Sequence, residues 1–159
     1  GRYAFYGCQT LTKIDIPSTI NAIDHDAFRN CSSLLQINIP HSLNFIDDGV
    51  FSGCSSLTQI TIPSSITKIG KYAFEYCQMI KQILIPSSVV CIDEYAFRNC
   101  ISIIDVSFQI PSSLTTIKNK AFSGCTSLKK ITIPSCVSKI GANVFEKCPK
   151  LQNISYEEI

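Results

Sequence analysis

Apolar and polar positions along this chain recur with one long period. Phe5, Phe28, Phe51, Phe74 and Phe97 stand 23 residues apart, Phe122 follows after 25, and Phe145 after 23 again. Cys8, Cys31, Cys54, Cys77, Cys100, Cys125 and Cys148 keep step three residues behind each Phe. Pro17, Pro40, Pro63, Pro86, Pro111 and Pro134 mark a second fixed point. Such self-similarity is the mark of stacked repeats, in which one unit cannot bury its apolar face alone and its neighbours cover it. The pattern predicts one solenoid domain over residues 1–159, with units starting near Ala4, Ala27, Val50, Ala73, Ala96, Ala121 and Val144.

The unit from Leu57 to Tyr76 shows the local physics. Leu57-x-x-Ile60-x-Ile62 ends in period-2 alternation of β-branched residues, which predicts a strand with one buried face. Pro63 has no N–H for a ladder and ends the strand, and Ser64-Ser65 makes a corner. Ile66-x-x-Ile69 then predicts a short return strand. Ala73-Phe74-x-x-Cys77 has i, i+1, i+4 spacing, so one helical turn would point all three side chains inward. The residue before each Cys is Gly7, Asn30, Gly53, Asn99 or Gly124 in five units, and these types tolerate the left-handed conformation that closes a helix. In the unit from Ala96, Gln109-Ile110 are two extra residues before Pro111. An insertion of two keeps side-chain parity, so Ile110 is expected to stay on the buried side of a longer strand or bulge.

Composition adds little chemistry. Net charge is +2, too weak to argue for nucleic acid, and no run of eighteen apolar residues predicts membrane insertion. Charge is uneven: residues 1–80 carry five basic and six acidic side chains, residues 81–159 nine and six, an excess that a solvated flank accounts for. Gly1-Arg2-Tyr3 lacks the basic and apolar blocks of a signal peptide, and the chain opens inside a unit, as a part of a longer array would.

The nine cysteines admit three readings. Seven form a ladder of apolar slots below the Phe column, where free thiols pack as small hydrophobes. Neighbouring units would also place them within disulfide reach, and metal binding is the third reading, disfavoured because His25 and His41 lack zinc-ligand spacing. Cys91 and Cys136 lie outside the ladder and are the accessible pair. Asp24/Asp26 and Asp47/Asp48 read as caps rather than as acid–base pairs. No nucleophile elbow or phosphate-cradling loop is present, so the reading is a non-enzyme without cofactor.

What remains variable are the outward positions of the first strand. Gln36, Gln59, Gln82, Asp105 and Lys130 form one column, and Asn38, Thr61, Leu84, Ser107 and Thr132 its companion. Stacking turns them into a grid of amides and hydroxyls on the concave surface through which solenoids commonly bind, so these ten are the candidate ligand-binding residues.

The pattern L-x-x-I-x-IP-S-S-I-x-x-I-G-x-x-AF-x-G-C resembles the BspA-like, or treponemal-type, leucine-rich repeat along the whole chain, nearly position for position over residues 51–77 and 122–145. Val50 and Val144 depart from it at Ala, Tyr76 and Lys147 at Gly, and Tyr156-Glu157 stands where Ile-Pro is expected. The resemblance implies a mostly β, right-handed coil of about seven units with a parallel sheet on its concave face, short return strands and helical turns. It also implies a non-catalytic adhesion module of a surface or secreted protein, whose partner is a protein or glycan of a host matrix or cell surface. A structural spacer, or a cytoplasmic interaction scaffold, is the alternative. Uncovered end coils would let the chain associate end to end.

Overall fold

The computed structural model of the chain describes residues 1–157. Its first strands are β1 (Lys13–Ile14), β2 (Gln36–Ile37), β5 (Gln82–Ile85), β7 (Asp105–Phe108), β9 (Lys130–Ile133) and β11 (Asn153–Tyr156). Its return strands are β3 (Phe45–Ile46), β4 (Lys68–Ile69), β6 (Cys91–Ile92), β8 (Thr116–Ile117) and β10 (Lys139–Ile140). Every pairing is parallel and joins equivalent positions of successive repeats, as in Lys68 with Cys91 and Ile69 with Ile92. The return strands make one sheet in the order β10-β8-β6-β4-β3. First strands form β1-β2, continued by a bridge from Gln36 to Gln59, and a separate sheet β11-β9-β7-β5. The chain thus winds as a parallel-strand solenoid of about six turns. The units from Ala4 and Val144 each contribute a turn segment and a first strand but no return strand among the described residues, so the expected seven units reduce to about six turns.

Between the sheets the fixed side chains stack on their own kind. Leu57, Ile80, Ile103 and Leu128 are fully buried, as are Phe74, Phe97 and Phe122. Consecutive Phe rings lie nearly parallel with centroids 5.2 Å apart for Phe74–Phe97 and for Phe97–Phe122. Offset stacking adds to the apolar burial that drives the column together.

The segment through Phe and Cys is not helical, which corrects the expected helical turn. Its N–H groups alternate between two kinds of acceptor. Ala27, Arg29 and Cys31 donate three residues back, to Asp24, Asp26 and Phe28, closing successive β-turns. Asp26, Phe28 and Asn30 donate instead to Asp48, Val50 and Ser52 of the next coil. Every second donor therefore ties coil to coil, and no i→i−4 ladder can form. The alternation requires two left-handed residues per turn segment, two positions before Phe and two after. Gly7, Asn30, Gly53, Asn99 and Gly124 fill the later site, as their residue types predict, but Tyr76 and Lys147 also adopt it, at φ 59° and 57°. The earlier site holds Asp26, Gly49 and Asn143, which carry such a signal, but also Tyr3, Tyr72, Tyr95 and Lys120, which do not.

The insertion also departs from expectation. β7 keeps the four-residue length of β5, and Phe108 pairs with Ile85. Gln109 donates its N–H to the Ile85 carbonyl, so the ladder is already complete before Ile110. Ile110, followed by a cis bond to Pro111, is then excluded from the stack and stands 56 % exposed. Pairing of β7 with β9 stops at Val106–Ile131, which opens a notch between the two strands.

Candidate binding face on the first strands

Strand alternation sends Ile37, Ile83, Val106 and Ile131 into the core and leaves their neighbours outside. Gln36, Asn38, Gln59, Thr61, Gln82, Leu84, Ser107, Lys130 and Thr132 are exposed, and Asp105 is half-buried. The grid expected from the sequence is therefore assembled on one face, although its members are unequal. Asn38 uses its amide twice on Ile16, accepting from the N–H and donating to the carbonyl, both at 3.3 Å. Ser107 donates to Asp105 at 2.6 Å, and the Thr132 and Ser155 hydroxyls meet at 3.0 Å. Gln36, Gln59 and Gln82 make no side-chain hydrogen bond to the chain among the described residues. Leu84 is 53 % exposed, the apolar exception on a polar face.

Two depressions lie along the strand columns, and a third, at the entry to the strands, shares Asp105 and Lys130 with one of them. One of about 620 Å³ spans the first three coils and is lined by Lys13, Gln36, Asn38, Gln59, Thr61 and His41. The other, about 300 Å³, is the notch beside the insertion, where Asp105, Ser107, Ile110, Lys130 and Thr132 meet. Gln82 and Leu84 line neither.

The cysteine ladder serves the fold. Each ladder thiol from Cys31 onward donates to the Phe carbonyl of the preceding coil, for example Cys77 to Phe51 at 3.2 Å and Cys100 to Phe74 at 3.1 Å. That same carbonyl accepts the Cys N–H of its own coil, so Phe51 holds both Cys54 and Cys77. Burial pushes the Cys54 thiol up to about 12 and those of Cys77, Cys100 and Cys125 well above their ordinary value. Such thiols are not the thiolates that react or bind metal. All nine cysteines are free; Cys136 is exposed and Cys91 half-buried, two coils apart rather than a pair.

Carboxylates near the turns act on backbone and on neighbouring coils. Asp47 accepts the Asp48 N–H and Asp93 the Glu94 N–H, while Asp48 reaches across to the Lys71 N–H at 2.8 Å. The expected capping holds for Asp47 alone, at a β-turn: Asp26 instead takes the Arg29 side chain at 3.0 Å, and neither the Asp24 nor the Asp26 carboxylate accepts a backbone N–H among the described residues. His25 Nδ1 lies 2.9 Å from Asp47, and with Asp48 the three ligand atoms fall within 4.8 Å, a grouping that the separation in sequence hides. Asp93 sits between Lys68 and Lys118 at 3.1 and 3.0 Å. Burial alone would raise its carboxyl, but the Glu94 N–H and both lysines outweigh that and hold it below the usual range. Glu75 goes the other way: burial raises it despite Arg98 at 3.2 Å.

Stacked parallel coils with these fixed columns and an open strand face define a leucine-rich-repeat solenoid. The chain belongs to the BspA type leucine rich repeat family, whose model matches six copies over residues 1–109 and 106–159. It is similar to a leucine-rich repeat protein from Bacteroides ovatus, with 42% identity, a TM-score of 0.91 and coverage of 97% of this chain and 39% of that one. A leucine rich cell surface protein from Faecalibacterium prausnitzii shares 33% identity over 92% of this chain and 39% of its own, with a TM-score of 0.78. The T. pallidum leucine rich repeat protein shares 30% identity over 96% of this chain and 70% of its own, at 0.84. The chain spans about two fifths of the Bacteroides and Faecalibacterium proteins. No curated protein matches it.

Proposed function

We propose that the chain is a non-catalytic binding module of a surface or secreted repeat protein, engaging a protein or glycan partner through the outward face of its first strands. One observation carries the reading. Consensus side chains are consumed by the core and by coil-to-coil bonds, whereas the Gln36, Gln59 and Gln82 amides stand exposed without a hydrogen bond to their own chain among the described residues. Free amides in a fixed column can exchange water for partner groups without breaking an internal bond. Surface placement is supported by the similar Faecalibacterium protein, described as a cell surface protein. The capping and pairing roles of the carboxylates and the raised thiols supply no nucleophile or acid–base pair, which favours binding over catalysis.

The test is a protein and glycan array probed with the chain and with its Gln36→Ala/Gln59→Ala/Gln82→Ala variant. A ligand bound by the first and lost by the second, with unchanged melting temperature, supports the face. Ligands bound equally by both would move the site elsewhere, and no ligand on any array would leave the spacer reading.

A further inference from the structure

The lysines of the chain are not evenly spent. Lys68 and Lys118 hold Asp93, Lys71 holds Glu94, and Lys120 holds Glu146 at 3.4 Å. Among the described residues no carboxylate pairs with Lys81, Lys129, Lys130 or Lys150, and all four are exposed. The coil register brings Lys81, Lys129 and Lys130 to one edge. Ladder bonds run from Ile104 to Lys81 and from Gln152 to Lys129, so Lys81, Ile104, Lys129 and Gln152 form a single column at the entry to the first strands. Lys130 is beside Lys129 in sequence and registers with Asn153 on β11 and with Asp105 on β7. A depression of about 390 Å³ lies on this edge, lined by Ile104, Asp105, Lys129, Lys130, Gln152 and Asn153. Asp105, in register with Lys130, is the one carboxylate there among the described residues, and its side chain accepts the Ser107 hydroxyl rather than a lysine ammonium.

We infer that this edge binds a sulfated polysaccharide. The inference rests on the binding-module reading and narrows it to a partner class. Ammonium groups gathered on one edge without a salt-bridge partner attract a polyanion and release its counterions, a gain absent for a neutral chain. The Gln152 and Asn153 amides beside them suit sugar hydroxyls, and Ile104 offers an apolar surface for a ring face. Single-stranded nucleic acid would call for aromatic platforms, and no aromatic side chain lines the depression.

The test titrates the chain with a heparin oligosaccharide, with neutral dextran as control. Expected is binding to heparin alone, weakening about tenfold or more as salt rises from about 50 to about 200 mM. Lys129→Gln/Lys130→Gln should weaken it about tenfold, and Asp105→Asn should strengthen it. Lys139→Gln, on the opposite sheet, should leave it unchanged. No heparin binding at low salt, an equal loss in Lys139→Gln, or equal binding to duplex DNA would overturn the inference. Gln36→Ala/Gln59→Ala lies outside the edge and should spare heparin. A heparin failure beside an array ligand lost in the glutamine variant would sink this inference and leave the binding-face reading standing.

Discussion

The turn segment and the first-strand face belong to the same coils, yet they obey opposite rules. In the turn segment side chain and backbone both bond to the next coil: Phe stacks on Phe, Cys donates to a carbonyl one coil back, and alternate N–H groups reach one coil forward. On the strand face the backbone carries the coil-to-coil ladder, a few outward side chains such as Asn38 and Thr132 add to it, and the rest change from coil to coil without disturbing it. Identity is fixed where a residue has neighbours of its own kind above and below, and free where it has only water. Stability and recognition are therefore separable in this solenoid, and substitutions in the two regions should separate them.

The largest loss is expected for Phe74→Ala. Its ring is fully buried between Phe51 and Phe97, so truncation removes its burial and two stacking contacts, and leaves a cavity. A cost of about 3–5 kcal/mol follows, read as a shift in denaturant midpoint. A loss under about 1 kcal/mol would mean that the column collapses to fill the gap.

A smaller loss tests the backbone. Gly124 has φ +74°, and an added Cβ would clash with the Asn99 side-chain oxygen. Gly124→Ala should cost about 2 kcal/mol, combining left-handed strain with displacement of Asn99. Adding Asn99→Gly should recover the steric part, since that residue is itself left-handed at φ 58°. Lys147 offers the reverse experiment, an exposed non-glycine residue at the same repeat position. Lys147→Gly should gain about 1 kcal/mol in a melting curve.

Asp93 and Glu75 give the pH arm, of about 1 kcal/mol or less. The Asp93 carboxyl is held below its ordinary value, so its contribution is present above the usual carboxylate range and fades as pH falls through the lowered value. Asp93→Asn should lower the melting temperature at neutral pH and converge with the unmodified chain in acid. Glu75 is raised by burial, so ionising it opposes folding, and Glu75→Gln should cost nothing at neutral pH. A neutral-pH loss in Glu75→Gln as large as that in Asp93→Asn would contradict this assignment.

The columns were legible in the sequence because each is one residue type at one period; the interior of the turn was not. Ala73-Phe74-x-x-Cys77 satisfies a helix and a chain of β-turns equally, and what decides is the acceptor offered by the next coil, a partner that local spacing does not reveal. The left-handed Tyr72 and Tyr95 were invisible for the same reason: coil-to-coil bonding imposes their φ against their own preference. Parity placed Ile110 inside by assuming the strand continues, whereas the Gln109 N–H closes the ladder first. The strand face was readable as a set of residues, but not in its inequality. Nothing in the sequence separates Asn38, spent on Ile16, from the free amides of Gln36 and Gln59.

That inequality sets the smallest expected effect. Gln36→Ala/Gln59→Ala/Gln82→Ala removes three exposed side chains with no hydrogen bond to the chain, so stability should change by no more than about 0.5 kcal/mol per site. Asn38→Ala deletes two hydrogen bonds to Ile16 and should cost about 1 kcal/mol, although it lies on the same face two residues from Gln36. If Asn38→Ala is as silent as the glutamines, those bonds carry no net stability and Asn38 joins the free set. If the glutamine variant melts early, its side chains support the coil, and the division between a bonded turn and an open face fails where it was drawn most sharply.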